Sequence, residues 1–155
     1  MISHKLKFIL IIMPIFVCAN ILYVPQQYGS IQTAINFSVD SDTIVVSEGT
    51  YQENINFFGK NIVVTSNYFI NQDSLIIENT IIDGNNDGSV VTFADGEPNS
   101  TVLQGFTLRN GNGNYADPDE NGSFYTYGGG VYCKSSSPTL KDLIINNNSG
   151  NAGGG

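Results

Sequence analysis

The chain has no tryptophan, one histidine, two cysteines and six cationic residues against 14 carboxylates in 155 residues. Each shortage removes a class of chemistry. The histidine, His4, and one cysteine, Cys18, lie in the first 19 residues, which read as a leader. Lys5 and Lys7 form a basic start, Phe8 to Val17 is an apolar run of signal-peptide length, and Val17 and Ala19 supply small residues where a signal peptidase reads. Cleavage is expected after Ala19, leaving residues 20–155 as one domain that is secreted or held at the outer cell surface. The apolar run is too short to anchor the chain across a bilayer of ~30 Å, and Val17 is a poor neighbour for a lipidated Cys18. Without His4 the mature chain has no imidazole, which excludes Ser-His-Asp and Cys-His catalysis and histidine-ligated metals. Cys133 is left with no partner for an internal disulfide.

The shortage of positive charge is as informative. The mature chain keeps Lys60, Arg109, Lys134 and Lys141 against all 14 carboxylates, a net charge near −10. That field repels nucleic acid and anionic lipid, and an acidic polysaccharide would need a bridging cation. What the chain has in quantity is Asn, Gly, Ser and Thr, a mixture suited to turns and short strands.

One passage reads as helix. Ser30 is a good N-cap, and Ile31, Ala34 and Ile35 then share one face at the spacing i, i+3, i+4. From Thr43 onward the spacing predicts short strands, "TIVVS", "NINF", "NIVVTS", "SLII", "TIID", "SVVTF", "TVLQGFTLR", "GVYC" and "TLKDLIIN", with "EGTY", "FGK", "GNNDG", "ADGEPNS", "NGNG" and "KSSSP" as the turns between them.

These strands repeat. "TVLQGFTLRN" (101–110) aligns with "PTLKDLIINN" (138–147) at an offset of 37, which sets Leu103 on Leu140, Phe106 on Leu143, Leu108 on Ile145 and Asn110 on Asn147. "TIIDG" (80–84) aligns with "TLRNG" (107–111) at an offset of 27, which would put Asp83, Asn110 and Asn147 in one column. Glycine triplets begin at Gly128 and Gly153, 25 residues apart, and Asn112 to Tyr127 reads as an insertion. Repeats of strand and turn alone predict an all-β solenoid with an apolar core, capped by the short helix at its N-terminal end. Asn at the corners tolerates the left-handed conformation and can hydrogen-bond between neighbouring repeats. Phe106, Leu108, Leu143 and Ile145 should be buried, with Arg109 and Lys141 pointing outward. The chain stops within a repeat, so the domain is expected to be truncated at its C-terminus.

"IQTAINFSVDSDTIVVSEGTYQENINFFGKNIVVTS" (31–66) resembles the N-terminal module of right-handed parallel β-helix proteins of the pectin lyase-like superfamily, including pectinesterases. "TIIDGN", "LQGFTLRNG" and "GGGVYC…SSPTLKDLIINNNSGNAGGG" are similar to repeats of exported bacterial β-helix proteins and of polymorphic outer-membrane proteins. Here Gly stands in place of the usual Ala and an aliphatic residue in place of the usual Phe. The resemblance implies a right-handed parallel β-helix. It carries no active site across, because the "QAVA" and "DFIFG" stretches of pectinesterases have no counterpart.

Three groups of residues are candidate sites. "DGNNDG" (Asp83, Asn85, Asp87) and "DPDENG" (Asp117, Asp119, Asn121) both fit D-x-[DN]-x-[DN]-G, whose alternate oxygens can wrap Ca²⁺, although Ala94 and Gly128 stand where an EF-hand has its closing Glu. Tyr115, Phe124, Tyr125 and Tyr127 in the insertion could stack on sugar rings. Arg109 could act as the base of a lyase, but beside inward Leu108 it is expected to be a solvated surface residue, so no catalytic residue is assigned. The function expected is a non-enzymatic adhesion or carbohydrate-binding module that meets a polysaccharide or cell-surface glycan. The alternative is the N-terminal part of a polysaccharide lyase or pectinesterase-like enzyme.

Overall fold

The computed structural model describes residues 18–116 and 125–151. Most strands are three or four residues long and lie in three parallel sheets. The first sheet runs β1 (Ile21–Val24), β2 (Thr43–Val46), β5 (Val63–Ser66), β8 (Val102–Gln104) and β13 (Thr139–Lys141). The second runs β3 (Gly49–Gln52), β6 (Thr80–Asp83), β9 (Thr107–Arg109) and β14 (Ile144–Asn146). The third runs β4 (Ile55–Asn56), β7 (Val91–Phe93) and β12 (Val131–Cys133), and β10 (Asn114–Ala116) pairs with β11 (Tyr125–Tyr127) as an antiparallel hairpin. The described residues also form three helices: α1 (Ile31–Phe37), α2 (Tyr68–Asn71) and α3 (Ser74–Asn79).

The expected all-β, right-handed parallel β-helix, or β-solenoid, is therefore corrected. The fold is mixed α/β, with 14% helix and 36% strand, and its short parallel strands do not form a closed solenoid. The segments between strands are the physical reason. Residues 67–79 coil into α2 and α3, and the stretch after Asn112 folds out as an antiparallel pair. "SLII", expected as a strand, is helical because the Asp73 side chain accepts from the Leu75 amide and starts α3, which buries Ile76 and Ile77. "EGTY", expected as a turn, supplies most of β3, and β1 was not foreseen.

Apolar residues from all three parallel sheets meet in one core. Val46, Val64 and Leu103 come from the first sheet, Ile82 and Leu108 from the second, and Val91 and Phe93 from the third; Phe57 packs on Phe93 with ring centroids 4.4 Å apart. The offset of 37 is observed: Leu103 pairs with Leu140, and Leu108 with Ile145. The offset of 27 is not. Ile82 pairs with Leu108, and Asp83 with Arg109, one residue out of the expected register. A one-residue slip would set Ile82 against Arg109 and turn an apolar side chain away from the core. The extra residue is Asn110, which sits in the left-handed conformation at φ 58° before Gly111, as Asn147 does at φ 54°. Phe106 and Leu108 are buried as expected. Leu143 is partly buried against the core, and Lys141 is exposed. Ile145 is 42% exposed because β14 pairs with β9 on one side only. The 25-residue spacing of the glycine triplets rests on Gly153, which lies outside the described residues.

The segment from α1 to Lys60 has a mechanical role. Ile31, Ala34 and Ile35 on α1 are buried as the spacing predicts, and Ser30 caps the helix by accepting from the Thr33 amide. The Glu53 carboxylate accepts from the Ile31 and Gln32 amides at 2.9 and 2.8 Å, placing negative charge at the helix N-terminus. At the other end the Lys60 ammonium donates to the carbonyls of Ile35, Asn36 and Ser38. Burial pushes the Lys60 pKa down, opposed by nearby Asp40 and Asp42. A seven-residue helix is too short to hold itself in water, so its packing and these two clamps must fix it. Lys60→Met should cost about 1–3 kcal/mol, because it strips charged donors from three carbonyls. An unchanged urea midpoint would mean that the buried face alone secures α1.

Candidate functional site

The outer face of the second sheet carries rows set by the register. Ile81, Thr107 and Ile144 form one row, and Asp83, Arg109 and Asn146 the next. Helix α3 lies against this sheet, tied by the Thr107 hydroxyl, which donates to the Ile77 carbonyl at 2.8 Å. Between helix and strands is an open groove of about 380 Å³. Ile81 and Ile144 line it with aliphatic surface, while Glu78, Thr107, Arg109, Asn146 and Asn147 supply polar groups.

Arg109 lies on the outer face as expected, partly exposed, but it is also ion-paired. Its Nε donates to Asp83 Oδ2 at 2.9 Å. Asp83 is nearly buried and also accepts from Asn110 Nδ2 at both oxygens and from the Asn85 amide. Burial raises the Asp83 pKa, but these hydrogen bonds and the Arg109 charge outweigh it and hold the carboxyl below its usual value. The pair ties the Arg109 Nε to a carboxylate rather than leaving it turned toward a substrate.

The first Ca²⁺ candidate is thus already engaged at Asp83, while Asn85, in the left-handed conformation, and Asp87 are exposed on the following turn. No group of three or more His, Cys, Asp or Glu is placed to hold a metal among the described residues. The second candidate, Asp117, Asp119 and Asn121, lies outside the described residues, as does Phe124.

The hairpin divides the aromatic candidates. Tyr115 pairs with Thr126, whereas Tyr125 and Tyr127 pair with Ala116 and Asn114. Alternation along each strand puts Tyr115 on the opposite face from Tyr125 and Tyr127. Tyr125 and Tyr127 meet edge to face at 6.3 Å, and Tyr115 is 75% exposed. These rings do not form one platform with Tyr115.

Reading the residues as separate motifs missed Glu78, Ile81, Thr107, Ile144, Asn146 and Asn147. Their signal was the outward positions of the aligned repeats, visible once the true offset of Asp83 to Arg109 is known. No helix among the described residues is long and apolar enough to cross a membrane. No protein-family model, curated protein or solved structure matches the chain, and nothing in those comparisons identifies a pectin lyase-like family.

Proposed function

We propose that the protein is an exported, non-enzymatic carbohydrate-binding module, acting in secreted form or at the cell surface, and that the sugar lies in the groove beside α3. The lining of that groove carries the reading. A pyranose presents an apolar C–H face and a rim of hydroxyls. The groove offers Ile81 and Ile144 to the first and Glu78, Arg109, Asn146 and Asn147 to the second. A few polar groups around an apolar floor are the usual composition of a small-ligand site. Separately from the groove, Tyr125 and Tyr127 on the hairpin give aromatic surface suited to stacking on a sugar ring.

The lyase or esterase alternative is less well supported. The one arginine is committed to Asp83, and proton abstraction from a uronate needs a free base, a charge-offsetting cation and a substrate groove together. The secreted protein should release neither unsaturated uronate nor methanol from methylated pectin. Isothermal titration with short oligosaccharides should show saturable binding. Asn146→Ala should weaken it about tenfold, the equivalent of one good hydrogen bond. Binding untouched by Asn146→Ala would remove the groove from the reading, and turnover lost in Arg109→Ala would restore the enzyme alternative.

A further inference from the structure

We infer that the groove selects neutral, hydroxyl-rich sugars and turns away uronates. The inference rests on the carbohydrate-binding reading and names its ligand class. Its basis is the charge left over in the groove. The one cation there, Arg109, is compensated by Asp83 at 2.9 Å. Glu78 on the α3 wall is exposed, and no hydrogen bond or ion pair engages its side chain among the described residues. Arg109, Asp83 and Glu78 together leave one negative charge in the groove of a chain that is itself acidic. A uronate carboxylate placed there meets Glu78, while the Arg109 charge that could offset it is already balanced by Asp83, and like charges at contact are unfavourable.

A neutral sugar reverses the balance. The Glu78 carboxylate can accept from two vicinal hydroxyls, and charge-assisted hydrogen bonds of this kind are about twice as strong as neutral ones. The Arg109 Nη groups remain as donors to ring or hydroxyl oxygens, since it is Nε that donates to Asp83. Asn146 and Asn147 bring both a donor and an acceptor, so they match hydroxyls in either sense. The aliphatic floor of Ile81 and Ile144 accepts the C–H face of the ring without needing charge.

The test compares a neutral hexose tetrasaccharide with tetragalacturonate by isothermal titration of the full secreted protein, with and without Ca²⁺. The neutral sugar should bind at least about tenfold tighter at low salt, and the gap should narrow at high salt as screening weakens the repulsion. Glu78→Gln should lower affinity for the neutral sugar several-fold and raise it for tetragalacturonate. Glu78 is exposed on a short surface helix, so this change should leave the fold intact, as circular dichroism would check. Equal or tighter binding of tetragalacturonate by the native protein, with or without Ca²⁺, overturns the inference and leaves the carbohydrate-binding reading standing. A preference unchanged in Glu78→Gln also overturns it. Binding of neither sugar at millimolar concentration removes the carbohydrate-binding reading itself.

Discussion

Phe106→Ala should lower stability by about 3–5 kcal/mol, the usual cost of emptying a buried phenylalanine site. Phe106 has no exposed surface and follows Gly105, whose φ of 83° makes the corner between β8 and β9. A Cβ on Gly105 would run into the Ser66 hydroxyl, so this corner has no room for a side chain before Phe106. A domain of this size is stable by about 5–15 kcal/mol, so about a fifth or more of the total is at stake. Ile145→Ala is the matched comparison. Sequence alignment gives Ile145 the same apolar role as Leu108, yet it is 42% exposed on a strand paired on one side. Its loss should cost about 1 kcal/mol or less by the smaller area it removes from water. Urea unfolding of both variants reads the contrast directly. Equal losses would mean that Ile145 is covered in solution or that the Phe106 site relaxes freely.

That contrast marks how far the sequence could be read. The amphipathic helix was legible because Ser30, Ile31, Ala34 and Ile35 carry a local signal that needs no partner. The offset of 37 was legible because three apolar positions and an asparagine agree at once. The offset of 27 was misleading because it matched the letters Thr and Gly, whereas the register is set by burying Ile82 beside Leu108. Asn110, in the left-handed conformation, absorbs the difference and leaves no gap in the sequence to announce itself. "SLII" failed for another reason. A short apolar run is ambiguous between strand and helix, and Asp73 decides it by capping α3. The groove could not be read from single motifs, because Glu78 joins Arg109 and Asn146 only through the packing of α3 on a sheet whose strands come from distant segments.

The second large effect should come from Glu97. This carboxylate is 1% exposed and has no cation among its hydrogen-bond partners. It accepts from the Gly59 amide at 2.8 Å, from the Asp95 amide at 3.1 Å and from the Ser136 hydroxyl at 2.6 Å. Gly59 lies between β4 and β5, Asp95 follows β7, and Ser136 precedes β13, so one side chain ties together three segments far apart in sequence. The Glu97 carbonyl adds a bond from the Ser137 amide. Glu97→Ala would strand donors that now share a carboxylate, at about 1–3 kcal/mol for each one water cannot reach. The expected total is about 2–4 kcal/mol, since Asp95 is exposed and its amide can recover a water partner. The pH dependence gives an independent reading. Burial raises the Glu97 pKa, but the bonds from Ser136, Gly59 and Asp95 outweigh it and hold the carboxyl below its usual value of 4.5. A folded pKa below the unfolded one means that the stabilisation is fully present above that usual value. It is lost as pH falls through the folded one. Asp42 and Asp83 are held low as well, so the native protein should weaken in acid through several groups at once. Glu97→Gln isolates one of them, because the amide keeps the shape but cannot titrate. Stability of the native protein and of Glu97→Gln, measured by urea unfolding between about pH 3 and 7, should differ most near neutrality and converge toward acid. Parallel curves across that range would show that the Glu97 carboxylate has the same affinity for protons folded and unfolded, and that its three partners do not hold it charged.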